Sequence, residues 1–291
     1  MALPVLFGFN VDPAWADPQA PLRTVQAAED AGLDLVTVQD HPYQPAFYDT
    51  WTLISHLAAR TQRITLVPTV ANLPLRPPAM LAKAAASLDV LTGGGRLQLG
   101  LGAGAFWDAI EAMGGPRRSG KEAADALEEA IAVVRLMWSG QRSVRFTGEH
   151  YTLAGVHPGP APTAGLGIWL GAVGPRTLRM TGALADGWMP SLGFVGLDRL
   201  PEASARVNAG AESAGRDPAT IRKVYNLNGI IGPESAEPFQ GSPTQWTDQI
   251  VSLVRDVGMN AFAYWPNADH ARQLHRFAHE VVPAARAALN G

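Results

Sequence analysis

Short runs of apolar residues alternate along the chain with longer segments in which apolar residues recur every three or four positions. The short runs predict strands buried on both faces, and the longer segments predict helices with one inward face. The two kinds alternate about every 30 residues, which is typical of repeated β/α units around a parallel sheet. The predicted strands cover residues 5–11, 35–38, 64–70, 96–101, 168–170, a short run opened by Asp186-Gly187-Trp188, 221–231 and 261–265.

Local signals set several of the predicted helix ends. Asp17-Pro18 predicts a cap and a first-turn proline for a helix that stops near Gly32. The tetrapeptide from Ser242 to Gln245 predicts a capping box with proline at the first helical position. Further helices are predicted over residues 51–59, 79–91, 121–139, 197–215 and a last segment that contains Leu274, Phe277 and Val281. Residues 142–153 predict an inserted hairpin or an extended covering segment.

Eight strands, each followed by a helix, predict an α/β fold of the (β/α)8 TIM barrel type with insertions after strands 3, 4 and 5. We expect residues 1–291 to form a single barrel domain. The alternative is an open, doubly wound sheet, which has a glycine-rich turn after its first strand. Residues 8–12 lack the GxGxxG pattern, so the barrel is preferred. In a barrel, ligands bind at the carboxyl ends of the strands.

The stretch from Gly165 to Ser191 predicts one complete β/α unit with a glycine-rich turn. The apolar run 168–170 leads into a turn of small residues at 171–174, and Pro175 and Arg176 begin the next helix. Small residues let a ligand approach the backbone, and the free amides at a helix start favour an anion such as phosphate. The alternative is a tight glycine-rich loop without a ligand.

Composition narrows the possible partners. The net charge of -3 gives no reason to expect nucleic acid or an anionic membrane. The absence of cysteine excludes disulfides, thiolate catalysis and cysteine-bound metals, and the histidine spacing matches no metal motif. We find no signal peptide and no apolar run of about 20 residues, the length of a membrane span. A cytoplasmic protein without a metal is therefore expected.

If the barrel is correct, several segments meet at the rim formed by the strand ends. They are Asn10, Asp40-His41, residues 69–72 and residues 102–107, with the turn at 171–176 across from them. The sequence has no GxSxG elbow and no recognisable carboxylate pair, which argues against hydrolysis. A titratable histidine, aromatic residues and an anion site fit an organic cofactor that carries a phosphate.

Motifs spread over most of the chain resemble one known family. They are Asp40-His41, the segments 78–84 and 88–94, the glycine-rich segment 95–104, the turn 171–176, and Ala185 to Trp188. Together they resemble the bacterial luciferase-like flavin-dependent oxidoreductases, and within these the branch that uses the deazaflavin coenzyme F420.

The resemblance implies a barrel, a homodimer, a small-molecule substrate and a cofactor ring laid across the barrel mouth. It also implies a non-proline cis peptide at Thr69-Val70 beside the ring. His41 would stabilise charge or exchange a proton during hydride transfer, and Asp40 would orient His41 or contact the ring. The implied cofactor-binding residues are Asp40, His41, Thr69, Val70, Ala103, Gly104, Gly171, Ala172, Val173, Gly174, Pro175 and Arg176. The implied substrate pocket is lined by Phe7, Asn10, Phe106, Trp107 and Trp188.

The sequence favours F420 over FMN as the cofactor, mainly through Asp40-His41 and the turn that ends in Arg176. F420 also carries an oligoglutamate tail, for which cationic residues are expected near the rim. The candidates are Arg76, Arg117, Arg118 and Lys121, and for Arg117-Arg118 the alternative is an ordinary solvated loop.

One departure from the family pattern concerns the substrate. Ala105 occupies the position at which the sugar-phosphate dehydrogenases of the F420 branch have a glutamate proton donor. We therefore expect a different substrate, with acid chemistry from His41, Asp108, Glu111 or water. The predicted function is F420-dependent hydride transfer to or from a small, largely apolar organic molecule. An FMN-dependent monooxygenase and a barrel that binds flavin without turnover are the alternatives.

Overall fold

The computed structural model describes residues 3–290, which contain eleven strands and ten α-helices. Parallel strands alternate with helices, as the sequence predicts. The strands are β1 Leu6–Val11, β2 Leu35–Val38, β3 Thr65–Pro68, β4 Ala71–Asn72, β5 Leu99–Gly102, β6 Val144–Thr147, β7 Thr152–Val156, β8 Ile168–Leu170, β9 Gly187–Trp188, β10 Arg222–Gly229 and β11 Ala261–Pro266.

The helices follow the strands in the same order. They are α1 Ala20–Asp30, α2 Thr50–Ala58, α3 Pro78–Leu91, α4 Trp107–Ala112, α5 Gly120–Met137, α6 Pro175–Leu184, α7 Leu200–Ser213, α8 Pro243–Ser252, α9 His270–Arg276 and α10 Val282–Asn290. Short 3-10 turns cover Leu73–Leu75 and Pro218–Thr220, and π-helical turns cover Leu253–Val257 and Phe277–Val281. None of the helices within residues 3–290 is long and apolar enough to cross a membrane.

The chain divides into two compact units. Of the described residues, the first comprises 3–12, 17–37 and 172–290. In it β11 pairs in parallel with both β1 and β10, and β10 pairs in parallel with β9. Aromatic side chains pack between these strands and their helices, where the Trp246 ring contacts the Tyr264 ring at 4.7 Å between centroids. These aromatic side chains pack against the strands that carry the buried polar residues Asn10 and Asn226.

The second unit comprises residues 13–16 and 38–171. Here β5 pairs in parallel with β4 and β8, and β6 pairs with β7 as an antiparallel hairpin. The hairpin confirms the one predicted over residues 142–153. Helix α5 begins with a capping box between Ser119 and Glu122, and its apolar face is buried. The carboxyl ends of β2, β4 and β5 all belong to this unit. The first three residues of β2 belong to the first unit.

Several predicted boundaries are wrong. Helix α1 begins at Ala20 because the Asp17 carboxylate accepts a hydrogen bond from the Gln19 amide in the preceding turn, so Pro21 is the first-turn proline. The predicted third strand, residues 64–70, is the shorter β3, and a further strand, β4, follows just beyond the predicted end. The short helix α4, absent from the prediction, follows β5.

The expected insertion after the fifth barrel strand is not found. Only residues 171–174 separate β8 from α6, because Pro175 begins the helix at once. The extra length lies elsewhere: a 3-10 turn follows β4, α4 follows β5, and the hairpin precedes β8. Residues 189–199 after β9 and 230–242 after β10 are the longer connections in the first unit.

Candidate functional site

Asp40 lies at the end of β2 and is fixed by a buried ion pair. Its Oδ2 accepts hydrogen bonds from Arg76 Nε at 2.7 Å and from the backbone amide of Asn72 at 2.8 Å, and its Oδ1 accepts from Arg76 Nη2 at 2.7 Å. The same guanidinium donates to Asp49, the N-cap of α2, at 2.5 Å. The Asp40 side chain is fully buried and that of Arg76 is 17% exposed.

This arrangement corrects two expectations. Arg76 is held between Asp40 and Asp49 and does not belong to a solvent-facing patch for a glutamate tail. Within residues 3–290, the hydrogen bonds of the Asp40 carboxylate run to Arg76 and Asn72, and not to the imidazole of His41. Asp40 therefore acts on His41 through its charge and not as a hydrogen-bonded orienting partner.

His41 belongs to an aromatic cluster with Tyr43 and Phe106. The His41 ring stacks on Tyr43 at 5.5 Å between centroids and meets Phe106 edge-on at 5.5 Å. Burial lowers the pKa of His41, while the charge of Asp40 acts in the opposite direction. Burial, with the Asp40 charge, raises the pKa of Tyr43 to about 12. The imidazole is thus neutral at neutral pH and the phenol keeps its proton.

Phe106 was predicted from the sequence as a substrate-pocket residue, whereas Tyr43 was not predicted. Phe106 is 51% exposed. Tyr43 lies only two positions from His41, and an aromatic residue this close to a candidate catalytic histidine at a strand end is the signal that could have found it. The cluster offers an imidazole edge beside an accessible apolar ring.

The segment from Thr69 to Asn72 lies against two glycines. The Thr69-Val70 peptide bond is cis, which confirms the predicted position. A Cβ at Gly102 would lie 2.5 Å from Cγ2 of Val70, and one at Gly171 would lie 3.0 Å from the same atom, so only glycine permits this close approach. The Oδ1 atom of Asn72 is buried and has no hydrogen-bond partner within residues 3–290.

These features fit an organic cofactor ring, because a half-buried apolar side chain flanked by glycines offers a flat contact surface. A buried amide oxygen without a donor calls for one from a ligand or from water. Asn72 belongs to the segment 69–72 that the sequence places at the rim, but no role was predicted for it. Its polar side chain at the end of a strand was the available signal.

Ala103, Gly104 and Trp107 follow β5 directly. Gly104 has a φ of +104°, and a Cβ there would lie 2.6 Å from Pro74 and 2.8 Å from the Trp107 ring. Trp107 therefore packs over Gly104 at the start of α4 and is half-buried. The three residues lie in the second unit with His41 and Phe106.

The remaining predicted cations of this unit already have partners. Arg117 pairs with both Asp108 and Glu111, Arg118 donates to the Tyr151 hydroxyl at 3.3 Å, and Lys121 pairs with Asp125 at 2.8 Å. Arg117 and Lys121 are thus paired with carboxylates, whereas Arg118 donates to a neutral hydroxyl, so these three residues do not form a patch of unpaired cations for an oligoglutamate tail. Asp108 and Glu111 are the surface ion-pair partners of Arg117.

The turn of residues 172–176 belongs to the first unit. Gly174 is the N-cap of α6, Pro175 is in the first helical turn, and the cap has no side-chain hydrogen bond. Val173, Gly174, Pro175 and Arg176 are all exposed, whereas Ala172 is buried. The amides at this helix start have no protein side chain in the capping position, so an anion can take it.

Trp188 is not a pocket wall as the sequence suggested. It is fully buried, and its Nε1 donates to the carbonyl oxygen of Ala172 at 2.9 Å. Trp188 therefore stabilises the turn of residues 172–176 through this hydrogen bond.

Phe7 is also misplaced in the prediction. It lies near the amino end of β1, fully buried, with its ring against Phe262 and Phe277 and the Arg286 guanidinium over it. Barrel sites lie at the opposite, carboxyl ends of the strands. Alternation along β1 identifies two faces but not which of them faces the helices.

Asn10 lies at the carboxyl end of β1 as expected. Its Oδ1 accepts from Thr37 Oγ1 at 3.3 Å, and that hydroxyl accepts from Trp265 Nε1 at 3.2 Å. Asn226 on β10 is fully buried, donates to Ser191 Oγ at 3.0 Å, and leaves its Oδ1 without a partner within residues 3–290. Thr37, Trp265 and Asn226 were not predicted.

Comparison with known proteins identifies the family. Residues 5–281 match the family model of the luciferase-like monooxygenases, and the chain belongs to this family. The F420-dependent hydroxymycolic acid dehydrogenase of Mycobacterium tuberculosis is 34% identical over 72% of this chain and 59% of its own length. The F420-dependent glucose-6-phosphate dehydrogenase of Nocardia farcinica is 31% identical over 96% of this chain and 98% of its own.

Solved structures confirm the predicted (β/α)8 barrel fold. An F420-dependent secondary alcohol dehydrogenase, in complex with an F420-acetone adduct, matches 98% of this chain and 100% of its own with a TM-score of 0.82 at 19% identity. Monooxygenases are also among the structures that share the fold. The predicted family is confirmed, and its F420-dependent members agree with the predicted cofactor and reaction class.

Proposed function

We propose that this protein is an F420-dependent oxidoreductase that moves a hydride between the deazaflavin and a small alcohol or its carbonyl product. Membership of the luciferase-like family and the F420-dependent relatives support this proposal. The observation that carries it is the His41 imidazole, whose pKa is lowered by burial and whose ring lies among Tyr43 and the exposed Phe106. A neutral imidazole at a barrel strand end is a suitable proton acceptor.

In alcohol oxidation the substrate loses a hydride from carbon and a proton from its hydroxyl group. F420, when bound, supplies the site that accepts the hydride, and returns one in the reverse direction. His41 accepts the hydroxyl proton as the carbonyl forms, and the imidazolium is stabilised by the nearby negative charge of Asp40. Tyr43, whose pKa is raised to about 12, stays protonated and packs against the imidazole.

The remaining roles follow from the positions of the residues within each unit. In the second unit, Thr69, Val70, Ala103, Gly104 and Gly171 would contact the ring and its side chain, with the unpaired Asn72 Oδ1 as an acceptor. In the first unit, the amides of residues 172–176 would bind the phosphate. The two sets are tested by separate variants.

We infer the substrate class from the residues on either side of Phe106. Ala105 provides no acid, and Asp108 and Glu111 are bound to the exposed Arg117. The proton transfer therefore falls to His41, and a sugar phosphate is disfavoured despite the relatives that act on one. The accessible ring of Phe106 favours an apolar substrate.

The test is made in two stages. Quenching of tryptophan fluorescence by F420 and by FMN is measured in parallel, and we expect tighter binding of F420. Reduction of F420 is then followed with a panel of apolar alcohols and with sugar phosphates. His41→Gln should lower kcat about 100-fold or more, the usual worth of a general base, while the Kd for F420 changes less than about threefold. Tighter FMN binding, or an unchanged kcat, would refute the proposal.

Two further parts of the proposal rest on the family resemblance or on composition. We expect a homodimer, which light scattering tests directly. We also expect a cytoplasmic location, which cell fractionation tests.

A further inference from the structure

Arg76 connects three segments of the second unit through one guanidinium group. It follows the 3-10 turn Leu73–Leu75 and reaches back to Asp40 after β2 and to Asp49 at the start of α2. Asp49 is itself held by the amide and hydroxyl of Thr52, at 2.9 and 2.8 Å. The guanidinium therefore occupies a rigid position, which its own partial burial reinforces.

The contact with Asp40 is of the two-pronged kind that only arginine makes. Nε binds one carboxylate oxygen and Nη2 binds the other, both at 2.7 Å, and the Asn72 amide adds a third bond. Such fork-to-fork pairs fix the plane of the carboxylate as well as its position. A lysine would supply the charge but not this geometry.

Asp40 is the chain neighbour of His41 and the charged group that acts on its pKa. Within residues 3–290, the aromatic rings that contact the imidazole are those of Tyr43, which remains neutral, and Phe106, which has no charge. The Asp40 carboxylate is therefore the charged group that opposes the effect of burial on the imidazole. A carboxylate released from Arg76 could rotate to accept a hydrogen bond from the ring, which would favour imidazolium.

We propose that Arg76 is a positioning residue for His41: it binds both oxygens of Asp40, keeps that carboxylate from hydrogen bonding to the imidazole, and so keeps the ring neutral and free to accept the substrate's proton. This inference rests on the proposed function. It gives the buried ion pair a role in proton transfer and not only in stability.

The direct test is the titration of His41 by NMR in the full-length chain, with its signal assigned by its loss in His41→Gln. In Arg76→Met we expect the titration midpoint of His41 to rise by about one pH unit. At a pH well below the midpoint, the fraction of neutral imidazole should then be roughly tenfold smaller than in the wild type. The limb on which kcat rises with pH, as His41 loses its proton, should also move to higher pH. Arg76→Lys should give an intermediate shift, and it serves as the second variant if Arg76→Met does not fold.

Arg117→Met is the matched control, because Arg117 also lies between two carboxylates but on the exposed surface. It should leave the His41 midpoint unchanged. A folded Arg76→Met or Arg76→Lys variant with the wild-type midpoint would overturn the inference. The NMR titration needs no cofactor, so a shifted midpoint without F420-linked turnover would instead refute the proposed function and leave the effect of Arg76 on His41 standing.

Discussion

Replacing Gly174 by aspartate is expected to stabilise α6 and, at the same time, to weaken cofactor binding. Gly174 is the N-cap of this helix with φ -79° and ψ 155°, a conformation open to any residue. An added Cβ would come no closer than 3.7 Å to Thr177 Oγ1. The aspartate can therefore cap the helix, and its charge suits the positive helix end. The gain over glycine is about 0.5–1 kcal/mol in the free energy of unfolding.

The effect on cofactor binding has the opposite sign. The carboxylate would lie beside the proposed phosphate and would compete for the same amide donors. Two unit charges about 5 Å apart repel by about 3 kcal/mol at an effective dielectric constant near 20, and by less at an exposed site. We therefore expect the Kd for F420 to rise about 10- to 150-fold.

Fluorescence quenching gives the Kd, and urea unfolding gives the stability. Gly174→Asn is the matched control, since asparagine caps equally well without a charge. Its Kd should rise no more than about fivefold, and added salt should narrow the gap between the two variants. A more stable Gly174→Asp variant that bound F420 as the wild type does would refute a phosphate site at this turn.

Two further predictions concern buried side chains of the first unit. Burial lowers the pKa of Lys223 from 10.5 to about 8. Between pH 8 and 10.5 the unfolded chain binds more protons at this position, so its contribution to the free energy of unfolding should rise with pH by about 3 kcal/mol. The rise should be missing in Lys223→Met, as urea unfolding at pH 7.5 and 10 measures, and equal slopes in both proteins would contradict the assignment. Trp188→Phe removes the hydrogen bond to Ala172, which costs about 1–2 kcal/mol and should raise the Kd for F420 at least threefold while leaving KM for the substrate unchanged. The reverse pattern would return Trp188 to the substrate pocket.

Local signals were sufficient where the physical cause is itself local. Strands β2 and β8 are correct to the residue, and the capping box at Ser242 is present as predicted. The start of α6 at Pro175 is also correct. In each case a few neighbouring residues determine the backbone through capping, the proline ring or a short apolar run.

The errors concern contacts between distant residues. Arg76 reaches a carboxylate 36 positions away, and nothing in the sequence near it distinguishes a buried ion pair from a solvent-facing cation. Phe7 and Trp188 belong to buried strands, where an apolar residue can face either the helices or the opposite side of the sheet. Composition alone does not separate these outcomes.

The pair Asp40-His41 shows how the fold assigns different tasks to adjacent residues. Asp40 and His41 both follow β2, and their side chains enter different surroundings. Asp40 accordingly enters a polar network with Arg76 and the Asn72 amide, where its charge is fixed, while His41 enters an aromatic cluster, where burial favours the neutral ring. A fixed charge that never leaves its partners can stabilise an imidazolium formed during the reaction without creating one beforehand. Proton transfer by His41 therefore depends on Asp40 as well, and on Arg76, which binds the Asp40 carboxylate.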